Sequence, residues 1–513
     1  MNGLALESAL VIALIVVVSV ALATRWVRLP YTLALVVIGL LLGSLNLVPE
    51  VELTPDLILL VFLPPLLFAA SYQLDVTRLR RDLPAIALLA IPGVLVGAVL
   101  IALVVSSVLN LSFETALVFG SLVAATDPVS VLAIFSRLGA PERLTTIIEG
   151  ESLFNDGIAI VVYGIVIEAA LGGHVSLADG MAEFITVAIG GAAVGLLTGV
   201  LATALLQRID DHLIEITITT AAAFGAYTLG ETLHVSGVIA VVIAGLLVGT
   251  LRSVSMSPTT RLALGSFWDY VAFLGNSMIF LLMGMRIAAP ELWSNIPSIA
   301  LVMLAVIGTR GMIVGVVNAV LRTIRQEFPW TWVSVVTWGG LRGAVSLALA
   351  LSLPRTLDDR AWIQIATFGV VLVSLLGQGL TMPLLLAQAG FRGDRVRQHE
   401  RHLARLQAYS RALSTIEAER QRGRVLPDVA DTIREEYEQA IEAERAALSA
   451  EGIDRDTIRR RQLLAARRHA LMIQRDTFVE LRREGRLGTD AFTELSASVN
   501  SELEELESDD EAT

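Results

Sequence analysis

The residues best equipped for chemistry form one run, Glu149-Gly-Glu-Ser-Leu-Phe-Asn-Asp-Gly157, which leads into an almost wholly apolar stretch over 158–170. Burying a carboxylate at bilayer depth costs several kcal/mol and is tolerated only beside protein partners or a water-filled cavity. On a helix advancing about 100° per residue, Glu151 and Asn155 share one face, and Ser152 and Asp156 share the next. Glu151 and Asp156 are then about 140° apart and do not serve one ligand as a bidentate pair. The economical arrangement puts Asp156 on a cavity. There a carboxylate with hydroxyl neighbours holds one proton or one monovalent cation stripped of water. Glu151 faces another helix and needs a positive partner. Two intramembrane arginines are available, Arg310 in Ile307-Gly-Thr-Arg-Gly-Met-Ile and Arg342 in Trp338-Gly-Gly-Leu-Arg-Gly-Ala-Val-Ser. An arginine in hydrocarbon needs a partner as much as a carboxylate does. Glu151 is assigned to Arg310 as a buried structural pair.

A second group lies in Ala125-Thr126-Asp127-Pro128, also in mid-span. Proline removes a backbone donor and biases the preceding residue away from the helical region. Thr126 and Asp127 are therefore expected on extended backbone, with Asp127 capping a second half-helix that starts at Pro128. Gly339-Gly340 and Gly343, around Arg342, form a matching irregularity seven spans later. Two interrupted spans at corresponding places in two halves are the pattern of an inverted-repeat transporter with a midplane site.

The elements that must position these groups are membrane helices. The chain has 513 residues, 54% of them hydrophobic, and a mean hydropathy of +0.68, too apolar for a soluble protein of this length. Thirteen apolar spans are read at 4–23, 30–48, 54–73, 83–109, 114–136, 142–171, 180–206, 212–230, 235–250, 262–285, 297–321, 330–353 and 362–388. The first is of spanning length, lacks a basic leader and is interrupted by Glu7, so it is expected to be a membrane span and not a cleavable signal. Alternate loops carry Arg25 and Arg28; Arg78, Arg80 and Arg81; Arg137 and Arg143; Arg208; Arg252 and Arg261; Arg322 and Arg325. The intervening loops carry only Arg286, Arg355 and Arg360. The positive-inside rule makes the first set cytoplasmic, puts the N-terminus outside and the C-terminus inside.

Composition shifts near Gly390, dividing a membrane domain, 1–390, from a charged tail, 391–513. The tail reads as three or four amphipathic helices with breaks near Gly423–Pro427, Gly452 and Gly485–Gly488, ending in an acidic run over 502–511. It is expected to pack on itself or on a second subunit. With no cysteine there is no disulfide, thiolate metal site or cysteine nucleophile, and the six histidines lack metal-ligand spacing. All basic residues are arginine, and the net charge of −12 argues against nucleic acid as a partner. No resident cofactor is expected.

Blander roles suit the other polar groups. Glu215, Glu231 and Asp269 lie near span ends and are expected to be solvated or capping, although Glu215 with Thr217 and Thr219 could line a funnel. Glu7 and Glu168 are expected at the interface. Gly190, Gly191, Gly195 and Gly199 suit close helix packing. An intramembrane aspartyl protease would use Asp127 and Asp156, but Gly-x-Gly-Asp is absent and the arginines would go unexplained. A channel would not need broken helices around a titratable group.

Glu151-Ser-Leu-Phe-Asn-Asp, Thr126-Asp-Pro, His234-Val-Ser-Gly-Val-Ile-Ala, Phe280-Leu-Leu-Met-Gly and Gly339-Gly-Leu-Arg-Gly-Ala together resemble the sodium/proton antiporter family of bacterial antiporters and animal exchangers. The resemblance runs in order from about residue 30 to 390. It implies an all-α membrane protein of about 13 helices with inverted repeats and crossed interrupted helices, a six-helix core, a dimerisation domain, a homodimer and elevator-like movement. Position by position, Asp156 resembles the ion-binding carboxylate, and Thr126 and Ser152 supporting Na+ ligands. Asn155 and Asp127 resemble the core network, Glu151 with Arg310 the buried ion pair, and Arg342 the arginine of the second crossover helix. Related antiporters with Asp in place of Asn155 look electrogenic; neutral Asn155 leaves one titrating carboxylate. One-for-one, electroneutral exchange of Na+ for H+ across the plasma membrane is therefore expected. Whether Li+ or K+ substitutes for Na+ stays open, and K+/H+ antiport is the nearest alternative.

Overall fold

The computed structural model describes residues 3–24, 26, 31–45, 57–172, 177–209, 211–254, 258–286, 289–324, 326–391, 394–450 and 455–483, with parts of 486–502. Arg25, Arg28 and Arg325, the tail breaks at Gly452 and Gly485, and nearly all of the acidic run over 502–511 lie outside the described residues. The chain divides into two compact units, Met1–Arg392 and Gly393–Thr513.

The first unit is all helical among the described residues. In chain order it contains α1 (Gly3–Ala23), α2 (Tyr31–Ser44), a π-turn at Leu57–Phe62 running into α3 (Leu63–Gln73), α4 (Val76–Ala90) and α5 (Pro92–Leu109). Then come α6 (Phe113–Ala124), α7 (Val129–Leu138), α8 (Glu142–Ala170), α9 (Leu177–Leu206), α10 (His212–Thr232), α11 (Gly237–Val254) and α12 (Pro258–Arg286). A short α13 (Ala289–Ser294) precedes α14 (Ile296–Thr323), α15 (Trp330–Trp338), α16 (Ala344–Ser352), α17 (Arg360–Val373), a π-turn at Ser374–Gln378, and α18 (Gly379–Gln388). Each expected span falls on one helix or on a broken pair. Among the described residues seven stretches are long and apolar enough to cross a membrane.

Local chemistry explains where several helices start and bend. The fourth span begins at Val76, earlier than its apolar stretch, because Asp75 accepts from the N–H groups of Thr77 (2.9 Å) and Arg78 (3.4 Å). It bends at Ile91, ahead of Pro92. The last span contains the π-turn at Ser374–Gln378, which apolar length alone does not reveal.

Packing forms two neighbourhoods. α2 lies against α12, and α11 against α3, α9 and α10. The glycines of α9 permit this closeness: a Cβ at Gly191 would meet Ser236, and one at Gly199 would come within 2.8 Å of Leu247. Around the second neighbourhood, α5, α6, α8 and α14 enclose the two breaks. Arg143 of α8 ties this bundle at one end, donating to Asp82 of α4 (2.8 Å) and to the Gln326 carbonyl (3.2 Å). The outward side of α9 presents Ile189, Leu196, Leu197, Val200 and Leu201, the apolar surface that lipid requires.

Glu215 differs from expectation. It is 4% exposed, not solvated. It sits one turn before Thr219, whose hydroxyl accepts from the Trp268 indole of α12 (3.3 Å), so this face of α10 turns inward. Asp269 is exposed and accepts from Gln73 (2.7 Å), and Glu231 and Glu168 are exposed.

In the second unit, α19 (Asp394–Gln421) and α20 (Pro427–Ala450) form a hairpin, turned by Gly423 at φ +71°, and α21 (Arg455–Arg483) follows. Edge-to-face packing of Tyr409 on Tyr437 (5.5 Å between centroids) and an Arg420–Asp431 bridge (2.7 Å) hold the hairpin. His402 and Arg405 of α19 both reach Glu444 of α20 and hold its carboxyl below the usual range, the His402 hydrogen bond contributing most.

Candidate ion-binding site

Both interrupted spans open where proline and glycine weaken the helix. α6 stops at Ala124, residues 125–128 are non-helical, and α7 resumes at Val129. α15 stops at Trp338, and α16 starts at Ala344 after five non-helical residues. The two breaks are joined through the backbone, with Asp127 N–H donating to the Leu341 carbonyl (2.8 Å). Four half-helix ends therefore meet in the interior. Their freed N–H and C=O groups need partners, because no lipid can supply them.

Side chains satisfy both kinds of end. The Asp127 carboxylate accepts from Val129 N–H (3.0 Å) at the start of α7 and from Ala344 N–H at the start of α16. One negative charge thus serves the positive ends of two half-helices. Pro128 occupies the cap position, one residue ahead of the first helical residue. At the opposite pole, the carbonyl of the last residue of α6 and the two that follow it each meet a donor. Asn155 donates to Ala124 (3.2 Å), Arg342 to Ala125 (3.5 Å) and the Ser152 hydroxyl to Thr126 (2.5 Å). The freed carbonyls are therefore engaged by protein rather than standing open. Because the Ser152 hydroxyl gives its proton to Thr126, its oxygen lone pairs remain available to a cation.

Arg310 of α14 grips Glu151 of α8 through two parallel hydrogen bonds, Nη1–Oε1 at 2.8 Å and Nη2–Oε2 at 2.9 Å. The two amide hydrogens of Asn155 are shared among the same carboxylate (3.1 Å), the Thr126 hydroxyl (3.1 Å) and the Ala124 carbonyl. Glu151 is 1% exposed and Arg310 8%, so the pair is buried and fork-shaped. Asp156 contrasts with it. Among the described residues its carboxylate has no hydrogen-bond or ion-pair partner, and it is only half-buried. It lies one turn beyond Ser152 and interacts electrostatically with Asp127 and Glu151. All eight residues singled out above thus gather around the crossing.

The nearby cavity is not on the Asp156 side. It is a small, partly open cleft of about 20 Å³ between α5 and α14, lined by Asn155, Thr309, Arg310 and Arg342 against Gly93, Gly97 and apolar side chains. Asp156 is not among its lining residues. Sequence reasoning missed Ser374, which accepts from Arg342 N–H (3.1 Å), and buried Gln378 in the same π-turn. Two polar residues four apart in an apolar span were the available signal.

Gly343 is required by contact rather than by backbone angle, since its φ of −143° suits any residue. A Cβ there would enter the Asp127 carboxylate, 2.6 Å from Cγ. Gly343→Ala is expected to lower stability by ~1–3 kcal/mol, the usual cost of overpacking. Gly308→Ala, which would meet nothing within 4 Å, is the control in a detergent melting assay.

Crossed, interrupted helices around an unpartnered acidic group define a secondary transporter. The family model described as "Sodium/hydrogen exchanger, transmembrane" matches residues 10–388, and the chain belongs to that family. It is 42% identical over 400 residues to the Na+/H+ antiporter ApNhaP of Aphanothece halophytica, covering 76% of each chain. It is 38% identical over 409 residues to the low-affinity Na+/H+ antiporter NhaS1 of Synechocystis sp., covering 78% of this chain and 77% of that one. In fold it is similar to the sodium proton antiporter MjNhaP1 of Methanocaldococcus jannaschii. The TM-score is 0.64 at 23% identity, over 75% of this chain and 98% of the other.

Proposed function

We propose that this protein is a plasma-membrane antiporter that exchanges Na+ for H+ at Asp156. The carrying observation is that Asp156 is the carboxylate at the crossing with neither a basic partner nor a hydrogen bond among the described residues. Glu151 is committed to Arg310, and Asp127 to two helix starts. In one direction Asp156 releases its proton and takes Na+, with the Ser152 and Thr126 oxygens replacing part of the hydration shell. In the other it releases Na+ and takes a proton. The two cargoes compete for one carboxylate, so neither leaks past the other.

The names of the relatives support the cation, and the loop arginines support a cytoplasmic Glu142 end of α8, an outside N-terminus and a cytoplasmic tail. Residues 1–390 form the antiporter domain and 391–513 the tail. The assembly is a homodimer in which α4 to α8 and α14 to α18 form the moving core. Dequenching of a pH-sensitive dye in everted vesicles, with Na+, Li+ and K+ compared, tests the function. A response to Na+ is expected, and its absence with all three cations would refute antiport.

The neutral Asn155 beside Asp156 leads to a statement about charge. One proton trades for one monovalent cation, so the cycle moves no net charge. Imposing a potential with valinomycin and K+ is expected to leave the initial Na+/H+ exchange rate unchanged in proteoliposomes. A current on a solid-supported membrane that follows the Na+ gradient at symmetric pH would mean that a second group, Glu151 or Asp127, carries a proton.

A further inference from the structure

A second carboxylate on α8 shares the property that singles out Asp156. Glu149 has no hydrogen-bond or ion-pair partner among the described residues, although it lies in a membrane helix. Of the arginines at its end of the helix, Arg78 is engaged with Glu142 (2.8 Å) and Arg143 with Asp82 (2.8 Å). An uncompensated carboxylate at such a place does not stabilise the fold.

Its position on the helix is informative. Glu149 precedes Asp156 by seven residues, which is two turns and about 10 Å along the axis. Glu142, Thr145, Glu149, Ser152 and Asp156 fall within about 80° of one another around α8. Along that strip Glu142 is exposed, Thr145, Glu149 and Asp156 are half-buried and Ser152 is buried, while Leu144, Ile147, Ile148, Gly150 and Glu151 beside it are buried. The strip thus carries acidic and hydroxyl groups from the Glu142 end to Asp156, reachable from that end as far as Glu149 and closed over at Ser152.

We propose that Glu149 is a staging carboxylate, drawing a partly hydrated monovalent cation in from the Glu142 end and passing it to Asp156. The proposal rests on Asp156 being the carrier. Because Glu149 keeps part of its surface exposed, its attraction acts through a partly aqueous path and yields to salt. It governs how much cation reaches Asp156 more than how fast the loaded core turns over.

The test is the Na+ dependence of exchange in proteoliposomes, with Na+ presented at the Glu142 face. Glu149→Gln is expected to raise the apparent KM for Na+ about three- to tenfold, the effect of one charge at this distance through a partly aqueous medium, and to change the maximal rate less. The difference should shrink when choline chloride raises the ionic strength, and Glu149→Asp should restore most of the affinity. A wild-type KM in Glu149→Gln overturns the proposal, as does a loss confined to the maximal rate. Should Glu149→Gln fold poorly, Glu149→Asp and Glu149→Ser decide, a wild-type KM in the Ser variant overturning it. Asp156→Asn, measured in parallel, separates the two readings. If it retains exchange, the carrier assignment fails; if it is inactive while Glu149→Gln behaves as wild type, the staging role alone fails.

Discussion

Asp156→Asn is expected to reduce Na+/H+ exchange to the background of empty liposomes, with Asp156→Ala doing the same. The substitution keeps the size of the side chain and removes its capacity to trade a proton for a cation. It should not harm the fold. Asp156 makes no hydrogen bond or ion pair among the described residues, so its loss strands no partner. Removing an uncompensated carboxylate beside Asp127 and Glu151 also relieves like-charge repulsion. The purified variant should therefore melt at or above the wild-type temperature while transporting nothing. Normal exchange in reconstituted Asp156→Ala would end the proposed mechanism.

The buried pair should respond in the opposite sense. Glu151→Ala leaves Arg310 without a carboxylate, close to a second buried arginine, Arg342. Arg310→Ala leaves Glu151 charged beside Asp156 with only Asn155 to satisfy it. Breaking a buried pair by removing one member costs ~3–5 kcal/mol. Each single variant is expected to show a large drop in melting temperature or in the yield of folded protein, seen by detergent-phase thermal unfolding and size-exclusion profile. The double change Glu151→Leu with Arg310→Met removes both charges and should recover part of the loss. It should not recover all of it, because Asn155 would lose an acceptor. Wild-type melting of both single variants would show that the pair contributes nothing to stability.

These contrasting expectations come from two carboxylates five residues apart on one helix, and their separation was legible from the chain. Helical geometry alone turns Glu151 and Asp156 to different sides of α8, because successive residues advance by a fixed angle. Likewise local are the break at Pro128, where a backbone donor is missing, and the loosening at Gly339 and Gly340. The apolar runs and their lengths determined a multi-pass helical protein, since the bilayer demands internally satisfied backbone over a set thickness.

Other properties are written in no local stretch. Glu151 and Arg310 are 159 positions apart; their pairing was expected from charge, but its two-point grip exists only because the fold brings the Arg310 side chain within reach of α8. The Asp127 carboxylate could be placed at one helix start, but its reach to Ala344 exists only because the two breaks cross. Glu215 looked like a solvated end residue, and only the packing of α10 against α12 turned it inward. The π-turn around Ser374 and the cavity on the Arg310 side have the same origin. The sequence by itself determined what repeats along the chain, namely helix phase, span length and helix breaks, because these depend on a few neighbouring residues. The tertiary structure decided which charges meet and which carboxylates stay unpartnered, because that depends on groups brought together from distant parts of the chain.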